Sequence, residues 1–503
     1  MASQSLAAEA FVLLRQWWPI LISSIFLFWI VRNYSSNSLW HVPGPLMRSF
    51  SVIPRIVSVT RGFSHEDDIV LHRRYGKIVR TAPQQISISD PSAINVIYGI
   101  GTKFVKSSFY SLSEAYDEEG VIPDPFILVD MKMHTYMKRN AANAYALHGL
   151  VNMEPWLEPV NDRLVTILQG YADRGESVDM ARLLKNYTMD AVFALTFGKD
   201  FDYLGQGDTL GIHRILEIFT DYMAIFGQIA WSHSFLLKVP WVLNLVIGSE
   251  NGAADVTRLA KEEIALARDK PAKDGPMTFL QRLLANQRKD PSIINDRDVM
   301  THAVGNITAG SDTTAIAMQS VILLLLKNQD VYDKLCKEIR DQLTLPIQFT
   351  TANALPYLNA VIKEAIRLHP SVGMMLARRV PVGGVDLCGY HIPAGVEVGI
   401  NPWVLHRDPV VYINPDKFFP ERWLASETAE AQLKVMNRCF FAFGHGAHTC
   451  SGRWISMMET VKLIPTLLLN FDLLLATDGP AYSFKNRWFT MQSGINVQIK
   501  RRL

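Results

Sequence analysis

The amino-acid sequence predicts a mainly α-helical protein with small β-sheets, an α+β fold, preceded by one transmembrane helix at the N-terminus. Helical periodicity dominates between residues 130 and 370, where the longest apolar stretch is Val299–Lys327. Alternating apolar and polar residues, which are typical of half-buried strands, stand before that region at residues 77–90 and after it at residues 389–400. The bulk of the chain is therefore expected to be helical, and its strands short.

The individual elements can be placed from the same periodicities, and they contain no internal repeat. The first two strands are expected in the runs K-I-V-R-T and Q-I-S-I-S-D, a pair that ends at Asp90-Pro91. The strongest helical stretches are Asp190–Phe197, Val299–Lys327, Tyr357–Leu368 and Trp454–Leu469. Glycine and proline return after Pro370, and they bound two short strands at Gly389–Ile392 and Glu397–Ile400.

Composition and charge exclude some classes of function. Lys and Arg total 50 and Asp and Glu total 48, so the formal net charge of the 503-residue chain is +2. A nucleic-acid-binding protein needs an excess of positive charge, which this chain lacks. Its four cysteines form no C-x-x-C pair and no dense framework, so a reducing compartment fits the sequence best.

The N-terminus differs in composition from the rest, and four segments are predicted. Residues 1–10 form a short lead, 11–31 a membrane anchor helix, 32–48 a linker with a Pro/Gly elbow, and 49–503 the main domain. The apolar residues of the anchor approach the roughly 20 that a helix needs to cross a bilayer. The elbow W-H-V-P-G-P cannot continue that helix, because two prolines flank a glycine.

Charges beside the anchor predict its orientation. Arg32 and Arg48 follow the apolar run and Arg15 precedes it, which favours a cytoplasmic main domain on a single-pass anchor in the endoplasmic reticulum membrane. No small-residue cleavage site follows the apolar run, so we interpret it as a retained anchor. The alternative is a cleaved signal peptide.

The sharpest chemical signal is the glycine-rich run F-G-H-G-A-H-T-C-S-G from Phe443 to Gly452, directly before a predicted helix. Backbone N–H groups of a glycine-rich turn at a helix N-terminus can stabilise a cysteine thiolate. A single cysteine without such a context is more often an inert buried residue. The flanking glycines make Cys450 a candidate metal ligand.

Phe443, Gly444, Gly446, Cys450 and Gly452 resemble the loop F-G-x-G-x-R-x-C-x-G of the cytochrome P-450 superfamily. That resemblance implies the cytochrome P-450 fold, a haem b cofactor, and Cys450 as the axial ligand of its iron. It also implies cofactor-binding roles for residues of the loop, namely Phe443, His448 and Gly452. His448 departs from the family, which usually has an arginine there that meets a haem propionate, and the charge of a histidine depends on pH.

The second signal is A-G-S-D-T-T from Ala309 to Thr314, inside the long apolar helix. It resembles the family's A-G-x-D-T-T groove, in which oxygen is activated, and this implies that Asp312 and Thr313 are catalytic residues that relay protons. Without the family, such a run is more often a helix cap or a solvated patch. Its position in the middle of an apolar helix disagrees with that alternative.

A third motif places Glu364 and Arg367 at i and i+3 on one helix face, where their charges can pair. Taken alone, such a pair is usually exposed and contributes little. With P-E-R-W at Pro420–Trp423 it resembles the E-x-x-R and P-E-R-F elements of the family, which implies a buried triad with Arg422. We expect this triad to support the cysteine loop rather than to take part in chemistry.

Other positions match the family's cofactor contacts less closely. The segment from His369 to Arg378 resembles a strand that lines the substrate pocket and sends Arg378 to a propionate. His134 and Lys138 stand where the family often has W-x-x-x-R, so propionate contacts are expected from both. Arg139 is a possible substitute, although its position turns it to another part of the helix surface.

Within the superfamily, Leu71–Arg80, Ile88–Pro91 and Lys103–Ser107 are similar to fungal enzymes akin to pisatin demethylase, many of which act in secondary metabolism. The resemblance implies a monooxygenase that hydroxylates, epoxidises or otherwise oxidises an apolar organic substrate with O2. Since no flavin or nicotinamide fingerprint follows a predicted strand, electrons are expected from NADPH-cytochrome P-450 reductase in the same membrane.

Two alternatives and the substrate remain open from the sequence. A reductase-independent haem-thiolate isomerase or dehydratase would be expected to tolerate loss of Asp312 and Thr313, and a non-enzymatic haem-binding membrane protein would need no proton relay. The aromatic segment Ser107–Phe126 and the C-terminal turn Phe489–Gly494 are expected to face the pocket, although aromatic residues there are equally typical of core packing.

Overall fold

A computed structural model describes residues 17–18, 20–28, 30–34, 36–117, 120–239, 241, 252–269 and 276–502. The predicted lead at residues 1–10 and positions 11–16, 19 and 29 of the predicted anchor lie outside the described residues. Residues 20–28 and 30–31 of the predicted anchor belong to the apolar helix Ile20–Tyr34.

Helices form most of the described chain, as the sequence predicts, and they are numbered here from the first helix after the elbow. They are α1 (Leu46–Phe50), α2 (Ile53–Arg61), α3 (Ser64–Tyr75), α4 (Ala93–Tyr98), α5 (Met131–Ala141), α6 (Leu147–Val151), α7 (Glu158–Arg174), α8 (Met180–Phe197), α9 (Tyr203–Gln206), α10 (Ile212–Phe226), α11 (His233–Leu237), α12 (Gly252–Asp269), α13 (Phe279–Lys289), α14 (Asp296–Lys327), α15 (Gln329–Gln342), α16 (Phe349–Ala352), α17 (Pro356–Leu368), α18 (Pro402–Leu405), α19 (Glu430–Cys439) and α20 (Arg453–Asn470).

The strands are short and form small sheets. They are β1 (Ile78–Ala82), β2 (Gln85–Ile88), β3 (Val105–Lys106), β4 (Ala115–Asp117), β5 (Gly120–Ile122), β6 (Ser177–Asp179), β7 (Arg378–Arg379), β8 (Val385–Leu387), β9 (Tyr390–Ile392), β10 (Glu397–Gly399), β11 (Phe471–Leu475), β12 (Ser483–Arg487), β13 (Phe489–Ser493) and β14 (Asn496–Arg501). The largest sheet has the order β1-β2-β10-β7-β3, and a second has the order β11-β14-β6. The hairpin of β12 and β13 is a separate two-stranded sheet.

The 32-residue helix α14 runs through the main hydrophobic core. A capping box between Asn295 and Asp298 fixes its N-terminus, because each side chain accepts a hydrogen bond from the other's backbone. At Gly310 a Cβ atom would lie 2.9 Å from Val192, so α14 and α8 approach closely only with glycine there. Among the described residues α14 is long and apolar enough to cross a membrane, but 72% of its most apolar window is buried within the protein.

The Pro/Gly elbow packs directly on the first strand. The backbone N–H of Arg80 donates to the carbonyl of Pro43 at 2.8 Å, and a Cβ on Gly44 would clash with the carbonyl of Arg80. The guanidinium of Arg80 donates to the carbonyls of Asn33 at 2.7 Å and Tyr34 at 3.0 Å. The end of the N-terminal helix is therefore attached to the largest sheet.

Candidate active site

The cysteine loop leads into α20 in a compact turn. The backbone N–H of Cys450 donates to the carbonyl of Phe443 at 2.8 Å, and that of Gly444 donates to Phe441 at 3.0 Å. A 3-10 turn at Gly446–His448 follows, and α20 begins at Arg453. The loop therefore closes on itself and ends beside a helix N-terminus, as the sequence predicts.

Glycine is required at the centre of this loop. Gly446 has a φ of 60°, and a Cβ atom at this position would clash with the carbonyl oxygen of Tyr98 in α4. Any other residue would be strained in this left-handed conformation and would also push α4 away. Gly446 is thus required because the backbone of the cysteine loop lies close to the backbone of α4.

Burial and hydrogen bonding shift the pKa of the Cys450 thiol in opposite directions. Burial raises the pKa of the Cys450 thiol, while hydrogen bonds from the backbone of Gly452 and Arg453, with the charges of Lys138 and Arg453, oppose that rise. Coordination to a metal cation would complete the stabilisation, because a coordinated thiol gives up its proton.

The other three cysteines do not offer a comparable ligand. Burial raises the pKa values of Cys336, Cys388 and Cys439 too, the latter two to about 11, but in none of these three does a backbone hydrogen bond from a described residue oppose the rise. Cys336 and Cys439 are buried and Cys388 is half-buried, whereas the side chain of Cys450 keeps accessible surface. Of the four cysteines, only Cys450 has both accessible side-chain surface and backbone N–H donors to its sulfur.

A cluster of basic side chains lies beside the cysteine loop. The rings of His134 and His448 contact each other with centroids 4.3 Å apart. Lys138 donates from its Nζ to the carbonyls of Ala447 at 3.0 Å and Thr449 at 2.5 Å, and so fastens α5 to the loop. Arg139, the possible substitute from the sequence, is exposed to solvent instead.

Two residues extend this cluster from the largest sheet. Arg378 in β7 donates from Nη1 to the hydroxyl of Tyr110 at 3.2 Å and to the carbonyl of Ala377 at 2.9 Å. Lys106 in β3 is buried, donates to the carbonyl of Pro125, and lies 5.7 Å from the centre of the Tyr110 ring. Sequence reasoning missed Lys106 as a site residue, because only the pairing of β3 with β7 brings it to Arg378.

These basic side chains are buried together, and their pKa values reflect it. Burial, reinforced by neighbouring cations, lowers the pKa of Lys106 to about 7, that of His134 to about 4 and that of His448 to about 2. Within the described part of the chain, His134 Nδ1, both ring nitrogens of His448 and Arg378 Nε are buried without a hydrogen-bond partner. Buried polar atoms of this kind call for a partner, and an anionic group at this place would supply a counter-charge for Arg378 and Lys106.

Asp312 and Thr313 point in different directions from α14. The hydroxyl of Thr313 donates to the carbonyl of Ala309 at 2.6 Å, and Ser371 donates to the carbonyl of Thr313 at 2.8 Å. Asp312 is 2% exposed, and its carboxyl lies 3.6 Å from Nζ of Lys185 in α8. The two predicted catalytic residues therefore connect α14 to different neighbours.

Besides Lys185, a histidine lies near the carboxyl of Asp312. His213 in α10 lies 4.0 Å from the carboxyl, and neither of its ring nitrogens has a hydrogen-bond partner among the described residues. Burial raises the pKa of Asp312, although the charge of Lys185 opposes the rise, and burial lowers the pKa of His213 to about 3. A buried acid with a raised pKa beside a neutral histidine is an arrangement through which a proton can pass.

The predicted triad is confirmed, and it is fully buried. Glu364 receives two hydrogen bonds of 2.8 Å from Arg367 and one of 2.9 Å from Arg422. The indole N–H of Trp423 donates to the same carboxylate at 2.9 Å. The carboxylate is therefore satisfied from several directions, as buried charges require.

One histidine, which the sequence did not indicate, hydrogen-bonds both to the triad and to the segment that leads into the cysteine loop. His406 accepts a hydrogen bond of 2.8 Å from the backbone N–H of Phe441 and lies 3.0 Å from the carbonyl of Arg367 through its other nitrogen. Burial lowers the pKa of His406 to about 3, so its ring is neutral and one nitrogen can accept. The position of the loop thus depends on the triad.

Comparisons with known proteins agree with this geometry. The family model for cytochrome P450 matches residues 43–498. The cytochrome P450 monooxygenase cicH of Emericella nidulans is 32% identical over 499 residues, which cover 98% of this chain and 98% of that protein.

Two further relatives have nearly the same extent. A pisatin demethylase of Fusarium vanettenii is 30% identical over 502 residues, covering 97% of this chain and 94% of that protein. The cytochrome P450 monooxygenase gsfF of Penicillium aethiopicum is 30% identical over 499 residues, covering 94% and 95%. The similarity therefore spans almost the whole length of each protein.

Proposed function

The chain belongs to the cytochrome P450 family and is an enzyme of the monooxygenase class, and from this premise we propose that it oxidises an apolar organic substrate in fungal secondary metabolism. One atom of O2 enters the substrate, and the other leaves as water after taking up two electrons and two protons. The observation that carries the proposal is Cys450 in a closed glycine loop, beside buried polar atoms that have no partner among the described residues.

Family membership implies a haem-thiolate cofactor, and the residues present fit haem b. Bound haem would supply the redox chemistry, with the Cys450 thiolate favouring O–O cleavage. Arg378 and Lys106 would hold the propionates by charge, and His134 and His448, whose buried ring nitrogens have no partner among the described residues, would add hydrogen bonds. Lys138 would act through the loop, since its ammonium already binds two loop carbonyls.

Thr313 and Asp312 would have different roles in proton transfer. The hydroxyl of Thr313 bonds within α14 beside Ala309, where it can orient a water or a reacting group. Asp312 is buried next to Lys185, His213 and, through Lys185, Glu217 at the surface. Protons would therefore travel from solvent to Asp312 and from there across α14 to Thr313.

Electrons would come from NADPH-cytochrome P450 reductase, and the main domain would face the cytoplasm at the endoplasmic reticulum membrane. Enzymes of this family generally use O2 and a redox partner. The apolar helix Ile20–Tyr34 is compatible with a membrane anchor, and its end is fastened to the domain through Arg80. The arginines that follow the apolar run support this orientation.

Reconstitution with the reductase tests the proposal. The haem-loaded protein, supplied with the reductase and NADPH, should consume NADPH and O2 and form an oxidised product. Substrates would be taken from metabolites that differ between a deletion strain and its parent. Conversion without NADPH or O2 would instead indicate an isomerase or dehydratase, and absence of any conversion of those metabolites would indicate a non-enzymatic haem protein.

A further inference from the structure

The apolar helix Ile20–Tyr34 ends on a buried guanidinium. Arg80 in β1 is 0% exposed, and it donates to the carbonyls of Asn33 and Tyr34 in the last turn of that helix. Two further hydrogen bonds, of 3.2 Å and 2.6 Å, run from Arg80 to the carbonyl of Pro83 in the turn between β1 and β2. Carbonyls in the last turn of a helix have no partner within it, and a cation there interacts favourably with the helix dipole. Arg80 therefore caps the helix from inside the main domain.

The segment that joins this helix to the main domain is packed against it as well. Leu39 is 0% exposed and Val42 is 5% exposed, and both belong to the hydrophobic cluster that includes the buried side chains of β1 and β2. The ring of His41 stacks on that of Tyr390 in β9, with centroids 5.8 Å apart. The connection is therefore held at several points, and a change in the angle of the helix would break these contacts together.

The capped end of the helix would lie at the surface of a bilayer. Residues 20–28 expose their apolar side chains along the helix, as a lipid-facing segment does. Trp40, just beyond the helix, is 63% exposed, and tryptophan is enriched at the membrane–water interface. The contact between Arg80 and the helix would thus stand where the membrane meets the main domain.

The strand that holds the helix belongs to the sheet beside the cysteine loop. The order β1-β2-β10-β7-β3 links the strand of Arg80 through hydrogen-bonded neighbours to the strands of Arg378 and Lys106. These two cations are the proposed partners of the haem propionates. A rotation of the helix is therefore passed through Arg80 to the sheet that would hold the haem.

We propose that Arg80 joins the membrane helix and the main domain into one rigid unit, so that the bilayer sets the angle of the haem to the membrane. Arg80 is a positioning residue in this account, since it acts through the helix end and the sheet. The inference rests on the membrane anchor and the haem of the proposed function. Its consequence is that a reductase in the same membrane meets the haem at one fixed orientation.

The test measures the distance between helix and domain by double electron–electron resonance, on the haem-loaded full chain in nanodiscs of dioleoyl phosphatidylcholine. Nitroxide labels are attached through p-azidophenylalanine in place of Phe28 and of Val382, which are 67% and 98% exposed. The parent should give one narrow distance distribution. Arg80→Met should widen it at least about twofold, because the joining segment then behaves as a flexible linker. Its carbon monoxide spectrum should stay unchanged, since the cysteine loop is not altered.

Arg61→Met is the matched control, because Arg61 is an exposed arginine at the end of α2. Its distance distribution should have the width of the parent. A broad distribution in the parent, or the parental width in Arg80→Met, would overturn the inference.

A second variant keeps the test decisive if Arg80→Met does not load haem. Arg80→Lys retains the charge, but a lysine is shorter and carries one nitrogen, so it cannot reach Asn33, Tyr34 and Pro83 together. The distribution of Arg80→Lys should be wider than that of Arg61→Met. The parental width in Arg80→Lys would overturn the inference equally.

Failure of the proposed function would look different, because the distances require neither electrons nor substrate. Recovery of the parent outside the nanodiscs would reject the membrane anchor, and absence of NADPH-dependent product would reject the monooxygenase. Product from the parent together with the parental width in Arg80→Met would contradict only the role of Arg80.

Discussion

The ammonium group of Lys185 lies 3.6 Å from the carboxyl of Asp312 and 3.0 Å from that of Glu217. Asp312 is 2% exposed at its side chain and Glu217 is 60% exposed, so a single lysine connects a carboxyl in the core with one at the surface. The proton route proposed above depends on this connection.

Removing the Lys185 ammonium group should make the stability of the folded protein more dependent on pH. Burial raises the pKa of Asp312 and Lys185 opposes the rise, so Lys185→Met should raise it further. A carboxyl whose pKa is raised by folding costs stability as pH increases through that pKa, because the folded state then holds a buried charge. The melting temperature of Lys185→Met should therefore fall further below the parent at about pH 8 than at about pH 5.

Glu217→Gln is the matched control for this prediction. It removes the exposed partner of Lys185 and leaves the ammonium beside Asp312, so its melting temperature should stay near that of the parent at both pH values. A deficit in Lys185→Met that is equal at both pH values, or larger in acid, would contradict the assignment of Lys185 as the counter-charge of Asp312.

Thr313→Ala should divert electrons from product to peroxide. If the hydroxyl positions a proton donor, its loss should leave haem binding and reduction intact but lower product per NADPH by about tenfold or more. Thr314→Ala serves as the control, since Thr314 is buried and turned about 100° around the helix. Equal ratios of peroxide and product to NADPH in both variants and the parent would rule the relay out, leaving at most a stability loss of about 1 kcal/mol.

Lys106→Met should weaken the retention of haem. Its buried ammonium has one carbonyl partner and stands among other cations, so an anionic propionate would be its strongest partner. Loss of that charged hydrogen bond should speed transfer of haem to apomyoglobin about tenfold. The exposed neighbour Lys103, changed to Met, should have no effect, and equal transfer rates in both variants would exclude Lys106 from the propionate site.

Glu364→Gln should destabilise the fold and the cysteine loop together. The substitution leaves Arg367 and Arg422 buried without a carboxylate, which typically costs about 3–5 kcal/mol. Glu430→Gln removes an exposed i,i+4 partner of Lys434 and should cost less than about 0.5 kcal/mol. Denaturant unfolding measures both, and similar losses would mean that the triad does not support the fold.

The sequence predicted the elements whose pattern is local. The strands around Ile78 and Ile88, the long helix at Val299–Lys327 and the triad of Glu364 are confirmed, because periodicity and motif spacing determine them. The helix α14 begins at Asp296, three residues before the predicted stretch, since its capping box is polar and carries no apolar period.

Contacts between distant segments could not be predicted in this way. Lys106 lies beside Arg378 because β3 pairs with β7, and Lys185 lies near Asp312 because α8 packs on α14. His406 accepts a hydrogen bond from Phe441, which is 35 residues away in the sequence. Nothing near Trp488 in the sequence indicates a positive φ, because this conformation is enforced by Gly373 and Asn486. Tyr116 belongs to the segment Ser107–Phe126 that was expected to face the pocket, and its side chain lies outside the described side chains.

Cys450 is proposed as the thiolate ligand of the haem iron, and the spectrum of the reduced protein under carbon monoxide tests this assignment. A serine hydroxyl is far too basic to lose its proton in the same loop, so Cys450→Ser should bind haem without a thiolate. The parent and Cys439→Ser should give the long-wavelength Soret band of a thiolate-bound haem, and Cys450→Ser should lack it. Persistence of that band in Cys450→Ser, or its absence from the parent, would contradict the account.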